Sequence, residues 1–145
     1  MSTIQSGKYT LIIILIFVSL LGCSQKTDEL AGTNWELTSL NGKDLIEGTA
    51  ITLDFTDTYL GGQMGCNGYG GSPDNGGYQA KRNGTFELHS PFAVTVQLCA
   101  EPKGIMEQEA EYIESLMAAS NYLIVDDHLE IRNEAGEIML IYQQK

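Results

Sequence analysis

Basic residues are scarce in this chain of 145 residues: 8 Lys and Arg stand against 19 Asp and Glu, so the formal net charge is −11. Nucleic acids and anionic membrane surfaces are bound by clustered Lys and Arg. The composition therefore disfavours both kinds of partner, and a negative charge of this size mainly keeps a small protein soluble. The length suits one domain with a modest core and leaves no room for a second domain.

Long apolar runs are also missing. The apolar run at residues 11–21 is much shorter than the roughly 20 residues that a bilayer-spanning helix needs. It follows a basic residue, Lys8, and ends at the small residue Gly22, an order that is typical of an export signal. We predict a signal peptide at residues 1–22, with an uncleaved membrane anchor as the alternative.

The end of this leader carries a specific motif. Leu20-Leu21-Gly22-Cys23 resembles the lipobox of bacterial lipoproteins, in which the cysteine is lipidated and becomes the first mature residue. The resemblance implies a membrane anchor through acyl chains on Cys23, followed by a polar tether over residues 23–31. Ser24, in place of Asp, implies the outer membrane, facing the periplasm, in a host with two membranes. A plain cleaved signal peptide with an incidental cysteine is the alternative.

Cysteine is rare, with three in the chain. If lipid occupies Cys23, then Cys66 and Cys99 remain for each other in an oxidising compartment. We predict a disulfide between them, closing a loop of about 34 residues and stabilising the fold by roughly 3 to 4 kcal/mol.

Candidates for catalytic or metal chemistry are few. The chain has two histidines and no Cys-x-x-Cys pair, so a metal site built from Cys66, Cys99 and His89 is disfavoured. The Gly-rich stretch at residues 65–77 lacks the Gly-Lys-Ser/Thr of a phosphate-binding loop. A Cys66 thiolate nucleophile is the least improbable enzymatic alternative, and it competes with the disulfide. We predict a non-enzymatic protein with no metal and no cofactor.

Hydrophobic patterning predicts one helix among short strands. Alternation and turn signals indicate candidate strands at residues 33–40, 51–55, 59–64, 78–81, 85–88, 92–98, 122–125, 128–131 and 137–142. Residues 65–77 are predicted to form turns or an exposed loop. Helical periodicity covers residues 103–119, and we expect a solvated face with four carboxylates at Glu107, Glu109, Glu111 and Glu114. The predicted class is α+β: a strongly curved antiparallel sheet or partly open β-barrel of seven to eight short strands with one covering α-helix.

Four motifs in this order resemble the META domain, known from the HslJ-type heat-shock lipoproteins of bacteria. They are Gly65-Cys66-Asn67-x-Tyr69-x-Gly71, Thr95-x-x-x-Cys99, Met106-x-x-Glu109-x-x-Tyr112-Ile113-x-x-Leu116, and Tyr122 with the closing hairpin. The resemblance runs over nearly the whole mature chain, so residues 32–145 are assigned as a META-like domain. It implies an envelope protein connected to heat shock and to tolerance of novobiocin, and it assigns no catalytic residues.

Two functional hypotheses follow. The first is a lipid-anchored, monomeric envelope protein that acts in stress or antibiotic tolerance through a protein partner, using the Gly-rich loop and acidic face. The second is a small-ligand carrier with an apolar cavity between sheet and helix. The candidate ligand or partner surface consists of Trp35, Asn67, Tyr69, Tyr78 and Phe86, although a single tryptophan on a strand is more often a core residue.

Overall fold

The computed structural model describes residues 29–71, 77–89 and 92–145. The predicted signal peptide, Cys23, most of the tether and residues 72–76 of the Gly-rich stretch lie outside these ranges and stay predictions. Within the described ranges, no helix is both long enough and apolar enough to span a bilayer.

The described chain forms ten strands and one helix, α1, at Ile105–Met117. The strands are β1 Asn34–Leu40, β2 Thr52–Phe55, β3 Leu60–Gln63, β4 Gly68–Gly70, β5 Tyr78–Ala80, β6 Phe86–Leu88, β7 Ala93–Val94, β8 Asn121–Val125, β9 His128–Arg132 and β10 Ile138–Gln144. Eight of them form one antiparallel sheet in the order β7-β4-β3-β2-β1-β10-β9-β8, and β5 pairs with β6. The large sheet is open at β7 and β8, which confirms the predicted fold class.

Strand β1 shows how side-chain alternation builds the core. Trp35 and Leu37 are buried at alternate positions, as expected for one face of a strand. A register shift between Leu37 and Ser39 adds a residue, so that Leu40 also faces inward. The strand then ends in a tight turn, where Asn41 and Gly42 have φ angles of 49° and 74°. Two consecutive positive φ values are what a two-residue hairpin turn requires.

The β5–β6 hairpin packs an aromatic cluster against β2. The rings of Phe55 and Tyr78 lie 4.9 Å apart, and Phe86 lies 6.1 Å from Tyr78. At one end the Tyr78 amide donates to Thr58 O, and at the other the Phe86 amide donates to Ser120 O. The hairpin therefore joins the β2–β3 turn to the start of β8.

One strand was not expected. We predicted turns or an exposed loop at residues 65–77, yet Gly68–Gly70 forms β4, and its Tyr69 is buried. The neighbouring strand β3 carries Gly62, where an added Cβ would lie 2.0 Å from the carbonyl oxygen of Thr52. Glycine is required there because the adjacent backbone approaches so closely.

Helix α1 buries an unusually polar face. Ile105 and Leu116 contribute apolar contacts, while the buried Gln108 accepts from the Ile46 amide at 2.7 Å and donates to Thr49 at 3.0 Å. The other buried residues of this face are Glu109, Tyr112 and Ser115. The helix is therefore docked by hydrogen bonds to loops as well as by hydrophobic contact.

Three tyrosines fill the space between helix and sheet. The hydroxyls of Tyr69 and Tyr112 lie 2.6 Å apart, Tyr142 donates to Tyr112 at 3.1 Å, and Tyr69 donates to Thr52 O at 2.8 Å. Burial raises the pKa of Tyr112 to about 12 and raises the pKa values of Tyr69 and Tyr142. These hydroxyls are therefore neutral and form a satisfied buried network.

Candidate functional site

A buried carboxylate on α1 holds the turn that carries the first motif. Glu109 is 4% exposed, and its Oε1 accepts from the backbone amides of Cys66 and Asn67, both at 2.6 Å. Its Oε2 accepts from Asn67 Nδ2 at 2.8 Å. All three partners are donors, so the side chain acts only as an acceptor in these bonds. Glu109 was predicted on the solvated face of the helix, and that prediction is wrong.

Asn67 connects the same turn to the segment that follows β7. Its Nδ2 also donates to Gln97 O at 3.0 Å, and its Oδ1 accepts from Thr95 Oγ1 at 2.9 Å and from the Gln97 amide at 2.7 Å. With the bond to Glu109, both amide protons and the carbonyl oxygen are fully used. We call Glu109 and Asn67 the clasp.

The predicted disulfide between Cys66 and Cys99 is present, with their Cα atoms 6.1 Å apart. This distance lies inside the range that an unstrained bridge requires. A sulfur in a disulfide is neither a thiolate ligand nor a nucleophile. The bridge therefore leaves no thiolate for the metal site considered at Cys66, Cys99 and His89, or for a Cys66 nucleophile. Within the described ranges there is no group of three or more His, Cys, Asp or Glu placed to hold a metal ion.

The clasp and the disulfide fix residues 95–99 beside α1. An apolar groove lies between this segment and the helix. Val96 and Leu98 are each 92% exposed, and Met64 forms part of the lining. The groove has a volume of about 510 Å³. Its lining residues are Met64, Asn67, Val94, Thr95, Val96, Gln97, Leu98, Met106, Glu109, Ala110, Ile113 and Glu114. Exposed apolar side chains held in a fixed groove are typical of an interaction site.

The helix contributes one apolar stripe to this groove. Met106, Ala110 and Ile113 follow one another at helical spacing, beside the buried face rather than on it. Six apolar residues recur along the helix at helical spacing, and only Ile105 and Leu116 of that set are buried. The other four are half-buried or exposed, and the polar residues of the buried face, Gln108, Glu109 and Ser115, bond to loop residues instead.

All five residues predicted as a ligand or partner surface are buried. Trp35, Tyr78 and Phe86 lie in the core, so they form no exposed surface. Trp35 donates through Nε1 to Thr33 Oγ1 at 2.7 Å, as a core tryptophan commonly does. Asn67 and Tyr69 are also buried, in the clasp and in the tyrosine network. The prediction that these residues form a surface is therefore wrong. For a large aromatic residue on a strand, an alternating pattern indicates burial better than it indicates exposure.

Sequence reasoning missed the residues that do form the groove. Val96 and Leu98 were read as part of a β-strand, and nothing in an apolar, β-branched run distinguishes an exposed segment from a buried one. The available signal was their position just before Cys99: a segment tied down by a disulfide stays in place without burying its own side chains.

Solved structures share this fold. One, described as the NMR structure of the protein from Burkholderia xenovorans, is 21% identical, with a TM-score of 0.57 over 80% of this chain and 83% of that one. Another NMR structure is 22% identical, with a TM-score of 0.58 over 79% of this chain and 90% of that one. At these identities the likeness shows the fold alone.

The sequence comparisons identify the family. No curated protein matches this chain. The META domain family matches residues 28–145, which include the clasp, the disulfide and all four motifs. Structure explains why these motifs occur together, since Cys66, Asn67, Cys99 and Glu109 bond to one another or to the same segment. The chain belongs to the META domain family.

Proposed function

We propose that this is an HslJ-like, lipid-anchored and non-enzymatic protein of the bacterial cell envelope that contributes to stress or antibiotic tolerance by binding a protein partner in the groove. The observation that carries the proposal is the exposure of Val96 and Leu98, at 92% each, on a segment held by a clasp and a disulfide. Burying such a side chain is worth roughly 1.5 to 3 kcal/mol. Exposing two of them in a fixed position is costly to solubility unless a partner covers them.

The anchor in this proposal is supported by the lipobox at Cys23 and by the position of the domain after it. Leu30 is already fully buried in the core, so the tether ends there. The seven residues that follow Cys23, up to Leu30, could reach roughly 25 Å at most if they were fully extended. The groove would therefore work close to a membrane surface, and the partner would be a protein of the outer membrane or of the adjoining periplasm.

The alternative, a small-ligand carrier with its cavity between sheet and helix, has weaker support. That interface is occupied by the rings and hydroxyls of Tyr69, Tyr112 and Tyr142. The groove is within the size range of small-molecule sites, but it lies at the side of the helix and presents the exposed Val96 and Leu98 to solvent.

The groove can be tested in cells that lack the native gene. We expect a variant with Val96→Asp and Leu98→Asp to lose the stress or antibiotic tolerance that the unaltered protein restores. The matched control is Leu123→Asp with Val125→Asp, on the far sheet edge, where the two side chains are 44% and 47% exposed. Melting temperatures check that both variants fold. Equal tolerance in the two variants would refute the proposed site.

The anchor is tested separately. Replacing Cys23 with Ser should move the protein from the membrane fraction to the soluble fraction and remove the acyl mass from its N-terminus, because only the cysteine sulfur can carry the first lipid. Membrane partitioning that survives this change would contradict lipidation without touching the groove.

A further inference from the structure

The groove is bordered by an open edge of the sheet. β7 is the last strand in the order, and the segment after it continues along β4. The Thr95 amide donates to Gly68 O at 2.9 Å, and the Gln97 amide donates to Asn67 Oδ1 at 2.7 Å. Alternate residues of an extended segment direct their amides to opposite sides. Val96 and Leu98 accordingly direct theirs away from the sheet.

These outward amides are unused. Among the residues that the structure describes, neither the backbone amide nor the carbonyl of Val96 or of Leu98 has a hydrogen-bond partner. A row of free amides and carbonyls on a sheet edge is a template for one more strand. The clasp keeps this template in register, because Asn67 fixes Gln97 between the two free residues.

The side chains beside this edge suit an added strand. Val94, Val96 and Leu98 all line the groove, facing Met106 and Ile113 of α1. A strand placed along the edge would turn every second side chain toward the same groove. Main-chain hydrogen bonds would then supply affinity, while the groove would select apolar side chains at alternate positions.

The charge of the groove indicates which kind of partner would bind in it. The charged groove residues are Glu109 and Glu114, both acidic, and Glu109 is already used by the clasp. Glu114 is exposed and has no ion-pair partner within the described ranges. A second copy of this chain would bring a net charge of −11 against an equal charge, which disfavours self-association.

We propose that residues 94–98 bind an extended segment of a partner protein by strand addition, with alternate apolar side chains in the groove and a Lys or Arg paired with Glu114. This deepens the proposed function, on which its biological setting rests, by naming the chemistry of the partner and its mode of binding. The binding mode itself can be measured on the isolated protein.

The probe is a short peptide of alternating Val and Thr that carries a Lys at one end. We expect it to bind and to slow hydrogen exchange of the Val96 and Leu98 amides, because these would donate to the peptide backbone. The matched control is the same peptide N-methylated at every second residue on the pairing side. It keeps the side chains, loses the backbone donors, and should bind about tenfold more weakly or worse.

Charge is tested with Glu114→Gln, which leaves the clasp untouched. We expect affinity for the Lys peptide to fall by about two- to fivefold, and the difference between the two proteins to shrink at high salt. A peptide with Glu in place of Lys should bind the unaltered protein more weakly. Equal affinity for the Lys and Glu peptides would overturn the charge assignment.

Several outcomes overturn strand addition. Equal binding of the normal and N-methylated peptides would do so, as would the absence of binding by either. Protection of Val96 and Leu98 that rises with protein concentration alone would show that a second copy occupies the edge. If the peptide fails while the Val96→Asp, Leu98→Asp variant still abolishes tolerance, only the binding mode falls. If the peptide binds while that variant keeps full tolerance, the proposed function falls and strand addition stands.

Discussion

The geometry of the clasp predicts that the stability of the fold depends strongly on one carboxylate, that of Glu109. Glu109→Ala would leave three donors without their acceptor: the amides of Cys66 and Asn67 and the side-chain nitrogen of Asn67. Each unsatisfied buried donor costs about 1 to 3 kcal/mol. Since Cys66 is half-buried and water can reach its amide, we expect a loss of about 3 to 5 kcal/mol in the free energy of unfolding. That is a large part of the 5 to 15 kcal/mol typical of a domain.

A more conservative change separates shape from charge. Glu109→Gln keeps one oxygen for the two backbone amides, but its own NH₂ would then face Asn67 Nδ2, so that two donors meet. Asn67 cannot turn its amide to compensate, because that would misalign its bonds to Thr95 and Gln97. We expect a loss of about 2 kcal/mol, intermediate between the unaltered protein and Glu109→Ala.

The assay is urea unfolding followed by circular dichroism, with the disulfide confirmed intact in every variant by alkylation. The control pair is Glu107→Ala and Glu107→Gln on the same helix, where the side chain is exposed. Those changes should cost no more than about 1 kcal/mol, through the helix dipole alone. If Glu109→Ala were no more destabilising than Glu107→Ala, the argument that a buried carboxylate organises this region would be refuted.

Further expectations concern the tyrosines, the disulfide and the glycine of β3. Tyr112→Phe removes the acceptor of the Tyr142 hydroxyl and should cost about 1 to 3 kcal/mol in urea unfolding. In the unaltered protein the raised pKa of Tyr112, about 12 against an ordinary 10.0, means that the unfolded chain deprotonates first. The part of the stability that depends on Tyr112 should therefore be present below pH 10 and fall by about 3 kcal/mol between about pH 10 and 12, so the total loss over this range should be smaller in Tyr112→Phe. Cys66→Ser should lower the free energy of unfolding by about 3 to 4 kcal/mol and leave Cys99 open to alkylation; unchanged stability would contradict the role of the bridge. Gly62→Ala should lower the melting temperature sharply, because its Cβ would meet the carbonyl oxygen of β2, and an unchanged melting temperature would mean that the two strands are farther apart.

Much of the sheet follows from the sequence because its strands bury one face. Alternation located β1, β2 and the β5–β6 hairpin, and turn residues such as Asn41-Gly42 and Asn83-Gly84 set their ends. β4 was missed for a physical reason. Two of its three residues are glycines, which have no side chain to alternate. The close backbone approach that requires glycine is in the neighbouring strand β3, where a Cβ on Gly61 would lie 2.9 Å from the carbonyl oxygen of Tyr69.

The site was less accessible to sequence reasoning. The disulfide followed from cysteine arithmetic, yet Glu109 looks like its exposed neighbours on the helix, since a buried carboxylate is distinguished only by the donors around it. Those donors are backbone and side-chain groups more than forty residues upstream. Periodicity along one helix carries no information about them, whereas the spatial arrangement shows that Asn67 and Glu109 serve one structure.

The most direct test of the account is amide hydrogen exchange across residues 95–98 of the unaltered protein. The clasp and the open edge together predict alternation: slow exchange at Thr95 and Gln97, which donate to Gly68 O and Asn67 Oδ1, and fast exchange at Val96 and Leu98. Glu109→Ala should speed exchange at Gln97 and so weaken the alternation. If these four amides exchanged at similar rates in the unaltered protein, the result would contradict a segment that is held by the clasp and has one free edge.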